Sequence, residues 1–128
     1  QRRCGWFDSV LVKQAVTLSS VKGIALTKLD VLDGFDEIKI CTGYSINGKA
    51  IKYLPSAEKE QNLIKPVYEV IKGWKKSIVG VRNINDLPKE ARIYIKRIEQ
   101  LVNCPIILIS TSPERCDTIY IKDPFNTI

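Results

Sequence analysis

Apolar residues along this chain recur with two periods, near 3.6 and near 2, and the switches between them divide it into helical and extended segments. Val12, Ala15, Val16 and Ser19 share one helical face behind Asp8, whose carboxylate can accept from the free amides of a first turn. This predicts a helix from Asp8 to about Ser20. Gly23 interrupts the pattern, and Ile24-Ala25-Leu26-Thr27 reads as a short buried strand delivering Lys28-Leu29-Asp30 to its C-terminal end. Residues 38–44 and 50–54 have strand character, and Asn47-Gly48 between them tolerates the positive φ of a type I′ hairpin turn. Residues 67–71 are extended after Pro66, and residues 73–86 form a loop-rich stretch. Asp86-Leu87-Pro88 opens the clearest helix, with Ala91, Tyr94, Ile95, Ile98, Leu101 and Val102 at helical spacing up to Asn103. Cys104-Pro105 stops it. Residues 106–109 are a continuous apolar run, the mark of a strand covered on both faces, and Ser110-Thr111-Ser112-Pro113 follows at its end. Residues 118–122 alternate like a half-buried strand before Asp123-Pro124 turns the chain out. The expected class is α/β: a mixed sheet with flanking helices and one β-hairpin. No repeat, linker or low-complexity segment divides the chain, so a single domain is expected over residues 1–128.

Composition adds constraints. The 128 residues are 45% hydrophobic and 27% charged, enough for one core that needs neither disulfide nor structural metal. The chain opens on Gln1 and holds no methionine, which predicts that it is part of a larger protein. Cys4, Cys41, Cys104 and Cys116 show neither metal-ligand spacing nor a dense disulfide pattern, as expected of a reducing, cytoplasmic setting. The apolar run at 106–109 is far too short to cross a bilayer, so no membrane association is expected. A net charge of +6 could attract a polyanion, but the cations alternate with carboxylates, as in Lys89-Glu90 and Lys96-Arg97-Ile98-Glu99, and no basic block appears. Nucleic acid is therefore not the expected partner.

For catalysis the chain is poor. It has no histidine, no Gly-x-x-x-x-Gly-Lys-Ser/Thr loop and no Gly-x-Gly-x-x-Gly, so neither an imidazole nor a phosphate cradle is available. No catalytic residue and no metal ligand is assigned. What remains is a pair of loops, Thr27-Lys28-Leu29-Asp30 and Ser110-Thr111-Ser112-Pro113, each just beyond a predicted strand end, where open α/β sheets seat ligands. Such a pair could form a slot for a purine base. A carboxylate at Asp30 can accept two parallel hydrogen bonds from the N1–H and 2-amino group of guanine, a donor pair that adenine lacks. The stem of Lys28 can lie over the base while its ammonium stays in water. The small residues Ser110, Thr111 and Ser112 would leave backbone groups open to the O6 edge. The same stretches also read as ordinary acidic and polar surface turns, and Arg2-Arg3 as a solvated chain end. A noncatalytic guanine-nucleotide or polyanion-binding module is the alternative function.

Several segments together, in order along nearly the whole chain, resemble the adenylosuccinate synthetase family. They are Arg-Arg-Cys-Gly-Trp-Phe-Asp at 2–8, Ala-Leu-Thr-Lys-Leu-Asp-Val-Leu-Asp-Gly at 25–34, Pro-Val-Tyr-Glu at 66–69, Leu-Pro-Lys-Glu-Ala at 87–91, Tyr-Ile-Lys-Arg-Ile-Glu at 94–99, Ile-Ser-Thr-Ser-Pro-Glu-Arg at 109–115 and Asp-Pro-Phe at 123–125. The resemblance implies the C-terminal part of a P-loop-related fold, in an enzyme that joins IMP and L-aspartate at the expense of GTP, with Mg2+, to give adenylosuccinate, GDP and phosphate. It implies that Lys28, Leu29 and Asp30 form the guanine-recognition motif and that Ser110, Thr111 and Ser112 form the second guanine loop. Arg2 matches the arginine that ends the aspartate-binding loop and reaches the GTP phosphates, with Arg3 beside it. Many members carry glycine where Ser112 stands, and Thr27 replaces the asparagine that precedes Lys-x-Asp in G-protein-like patterns. The resemblance further implies a cytoplasmic homodimer whose catalytic residues and Mg2+ ligands lie upstream, so that this segment alone is expected to be inactive.

Overall fold

The computed structural model describes residues 5–53 and 55–121. Strand β1, Phe7–Asp8, runs directly into helix α1, Ser9–Ser19. Asp8 caps that helix as expected, its carboxylate accepting from the amides of Val10 and Leu11, and Ser20 closes it in the left-handed region. The buried side of α1 is narrower than the spacing suggested. Val12 and Val16 are half-buried, Ala15 and Ser19 are exposed, and the deepest contacts are made by Ser9 and Val10 in the first turn.

Strand β3, Glu37–Ile46, and strand β4, Lys49–Ile51, form the hairpin, with Ile46 opposite Lys49. Asn47 and Gly48 both have positive φ, +50° and +84°, which is the type I′ geometry whose twist matches the strands. Strand β5, Ile64–Lys72, is longer than its sequence pattern and pairs antiparallel along one edge of β3. β1, in parallel, and β4 share the other edge. Pro66 sits on β5, an edge strand, where its missing amide breaks no interior ladder. One turn of helix, α2 (Glu58–Gln61), joins hairpin to β5 and had no periodic signal.

A second sheet is built from β2, Ile24–Leu26, β6, Ile106–Ser110, and β7, Thr118–Tyr120. β6 is central, parallel to β2 and antiparallel to β7. The mixed α/β class holds, with two small mixed sheets in place of one. Burial of β2 is incomplete, because it is an edge strand: Ile24 and Leu26 are half-buried and Ala25 is exposed. Central β6 is better covered, with Ile106 and Ile109 buried and Ile107 and Leu108 half-buried.

Helix α3, Lys89–Val102, starts after Pro88 and ends on Asn103 in the left-handed conformation. Its stripe of Ala91, Tyr94, Ile95, Ile98 and Val102 is buried, and Leu101 is half-buried, as the spacing predicts. These side chains join Ile38 and Ile40 of β3 to Ile106, Ile109 and Ile119 of the second sheet in one continuous core. Each fully buried aliphatic side chain of this kind contributes about 1.5–3 kcal/mol by leaving water. On its outer side α3 is tied to β5 by a bidentate pair, Arg97 Nε to Glu69 Oε2 at 2.6 Å and Nη2 to Oε1 at 2.8 Å. The core thus clamps the ends of β2 and β6 side by side, and both candidate loops leave from there. No helix among the described residues is long and apolar enough to cross a membrane.

Candidate functional site

The first loop leaves β2 at Thr27 and turns sharply, because Lys28 adopts φ +59° and ψ +38°. A lysine in the left-handed region costs roughly 1–2 kcal/mol relative to the right-handed one. Two interactions hold it there. The Lys28 amide donates to Ser110 Oγ at 2.8 Å, and the next side chain, Leu29, is only 2% exposed in the core. The chain then closes into a 3-10 turn, Leu29–Leu32, with Val31 N on Lys28 O and Asp33 N on Asp30 O. Lys28 is exposed and Asp30 half-buried, and no hydrogen bond or ion pair among the described residues uses either charged group.

Two carboxylates three residues apart therefore differ in engagement. Asp33 is fully engaged: Trp74 Nε1 donates to its Oδ1 at 2.7 Å and the Ile78 amide to its Oδ2 at 3.0 Å. Asp30 remains available to an incoming donor. The backbone beside it is held by the Lys28 amide on Ser110 Oγ and by the Asp33 amide on Asp30 O.

The second loop, from Ser110 to Asp117, is organised by its own hydroxyls. Thr111 is fully buried, and its Oγ1 donates to Val81 O at 2.8 Å and more weakly to Asp117 O at 3.2 Å. Ser112 Oγ donates to Asp117 Oδ2 at 2.7 Å while accepting from the Glu114 amide at 3.0 Å. The Ser112 hydroxyl and the Arg82 guanidinium hold the Asp117 carboxyl below the usual range. With both hydroxyls committed, and the Thr111 amide donating to Asp117 O at 3.0 Å, the backbone donor this pair leaves open is that of Ser112. The Ser112 amide takes part in none of the hydrogen bonds among the described residues.

The structure thus brings Lys28, Asp30, Ser110, Thr111 and Ser112 together at adjacent strand ends, and the Lys28–Ser110 hydrogen bond fastens one loop to the other. Leu29 is present through its backbone only. Arg2, with Arg3, lies outside the described residues. Sequence reasoning did not find Asp33, Trp74, Val81, Arg82 or Asp117. Their partners lie 41, 30 and 35 residues away for the Trp74–Asp33, Thr111–Val81 and Arg82–Asp117 contacts, so no local pattern marks them.

Among the described residues no group of three or more His, Cys, Asp or Glu side chains could hold a metal ion. Mg2+ asks for an octahedral set of oxygens. The described residues do not by themselves form such a set.

Fold and loops together define a class: a mixed α/β protein in which two strand-end loops meet, the place where such sheets seat ligands. Residues 1–119 match the adenylosuccinate synthetase family. In three dimensions the chain is similar to the fully ligated adenylosuccinate synthetase from Plasmodium falciparum, with 35% sequence identity and a TM-score of 0.89, covering 94% of this chain and 30% of that one. The chain belongs to the adenylosuccinate synthetase family, a family of purine-biosynthetic ligases, and spans 30% of the length of its Plasmodium relative.

Proposed function

We propose that this chain forms the base end of the GTP site in an adenylosuccinate synthetase. The observation that carries the reading is the pairing of an uncommitted Asp30 carboxylate with a second loop fastened to it through Lys28 N and Ser110 Oγ. Guanine N1–H and its 2-amino group donate to the two Asp30 oxygens. The Lys28 stem covers one face of the ring, and the backbone amide of Ser112 meets O6. Adenine presents an acceptor at N1 and an amino group at C6, so it leaves Asp30 and the Ser112 amide without partners.

The reaction belongs to the whole enzyme. GTP transfers its γ-phosphoryl group to the IMP oxygen, the aspartate amine then displaces phosphate at that carbon, a C–N bond forms and a C–O bond breaks. The residues described here hold the nucleotide at its base and leave the phosphoryl transfer to other groups. Arg2 is proposed to end the aspartate-binding loop and reach the GTP phosphates. A Mg2+-dependent reaction, a homodimer and a cytoplasmic setting accompany the same reading. A polyanion site is less well supported, since Arg97 and Lys96, on the basic face of α3, are already paired with Glu69 and Glu99.

The test is the rate of adenylosuccinate formation by the full-length protein with GTP or ATP. Asp30→Asn replaces one acceptor with a donor. A hydrogen bond to a charged group contributes about 1.5–3 kcal/mol, so the variant should lose about 10- to 100-fold in its preference for GTP. An Asp30→Asn enzyme with its GTP preference intact would remove Asp30 from base recognition.

A further inference from the structure

We propose that the turn Ile78–Val81, with Arg82 after it, is the positioning element of the base slot, setting the distance and angle between its two walls. This rests on the base-slot reading above and extends it to residues that touch no ligand. A continuous path of hydrogen bonds runs from one loop to the other through this turn. The Ile78 amide donates to Asp33 Oδ2 at 3.0 Å, the Val81 amide to Ile78 O at 3.1 Å, and Thr111 Oγ1 to Val81 O at 2.8 Å. Ile78 is fully buried, so the turn cannot drift without opening the core.

Each end of the path is reinforced. At the first wall, Trp74 donates to the other Asp33 oxygen and packs edge-on against Tyr94 of α3, ring centroids 5.9 Å apart. At the second, Arg82 Nε donates to Asp117 Oδ1 at 3.0 Å, and Asp117 in turn accepts from Ser112. The direct Lys28–Ser110 contact is one point of attachment, about which two loops could pivot. The turn supplies a second, and two points fix an angle. A slot that reads base edges needs its donors and acceptors held to within about 0.5 Å, which a single hydrogen bond between loops does not ensure.

Asp33 and Arg82 act on different walls, so their variants should separate in a ligand series. Binding of GDP, IDP and 6-thio-GDP to the full-length protein gives two ratios. IDP lacks the 2-amino group and reads the Asp30 wall, whereas 6-thio-GDP weakens the acceptor at position 6 and reads the Ser110–Ser112 wall. Arg82→Ala should reduce discrimination against 6-thio-GDP by about fivefold or more while leaving that against IDP within about twofold. Arg82→Lys should restore part of it. Asp33→Asn should do the reverse, lowering discrimination against IDP. The Arg82 side chain is 62% exposed, so its removal leaves the fold intact even where the Asp33 variant does not. If Arg82→Ala changes melting temperature alone and both ratios stay put, the turn is merely structural and the proposal is overturned. If the unaltered protein binds GDP and ADP equally well, the base slot itself fails, and the positioning role with it.

Discussion

Replacing Asp33 with alanine removes two acceptors at once, and the donors they serve belong to buried residues. Trp74 is 2% exposed and Ile78 is fully buried. A buried donor left without an acceptor costs about 1–3 kcal/mol, and the two together give about 2–6. Asp33 is itself half-buried, so a water entering the vacated volume can serve one donor in part, which places the expected loss in the lower half, about 2–4 kcal/mol. Asparagine distinguishes this account from simple loss of charge. Its Oδ1 can still accept from the Trp74 indole while its amide nitrogen faces the Ile78 amide donor to donor, so about half the loss should remain. Trp74→Phe removes a donor and leaves a half-solvated carboxylate oxygen, which is cheaper for the hydrogen bond, though it also alters the packing on Tyr94. Urea unfolding at neutral pH reads the series, provided the slope with denaturant is unchanged between variants. A loss under about 0.5 kcal/mol for alanine, or asparagine as costly as alanine, would refute the assignment of Asp33 as a two-bond anchor.

Two further outcomes follow from close contacts elsewhere. A Cβ added at Gly73 would lie 2.0 Å from the Phe35 carbonyl oxygen, where the Gly73 amide donates to Asp36 O at 2.9 Å. Gly73→Ala must therefore move backbone, and a loss of more than about 2 kcal/mol is expected in the same unfolding assay; wild-type stability would mean that the crossing relaxes freely. The Arg97 hydrogen bond holds the Glu69 carboxyl below its usual range. Because the folded value is depressed, the pair's contribution is complete above the unfolded carboxylate range and is lost as pH falls through the folded one. Both side chains are about one-third exposed, so that contribution is about 0.5–1 kcal/mol. Glu69→Gln should lower stability by that amount at pH 7, and the gap should shrink as pH falls from the unfolded carboxylate range through the depressed folded one; a gap independent of pH would show that the ion pair contributes nothing.

The elements that could be read from the sequence are those whose cause is local. The α3 stripe, the Asp8 cap and the Asn47-Gly48 turn each depend on residues within a few positions of one another, and each is found where the pattern puts it. β1 and α2 were not legible, because two residues of strand and one turn of helix carry no period. The division into two sheets was hidden for another reason: hydrophobic alternation marks a strand without naming its neighbour. Within the site, Asp30 and Asp33 look equivalent in Asp-Val-Leu-Asp-Gly. Only the position of Trp74 and Ile78 in space shows which carboxylate is spoken for. Likewise, the hydroxyls of Thr111 and Ser112 suggested small polar residues beside a ligand, and their actual work is to shape the loop that carries them.

The hydrogen bond between Lys28 and Ser110 joins residues 82 positions apart. Closing so long a segment carries an entropic cost that must be met before the contact stabilises anything, and contacts of this span form late in folding. The hairpin at Asn47-Gly48 and the turns of α3 can form on their own in microseconds or less. The slot cannot. It exists only once β2 and β6 lie side by side, so any ligand seated across the two loops would stabilise the closed topology as a whole, and on the proposed base-site reading hydrogen exchange in β6 should slow when a guanine nucleotide is added.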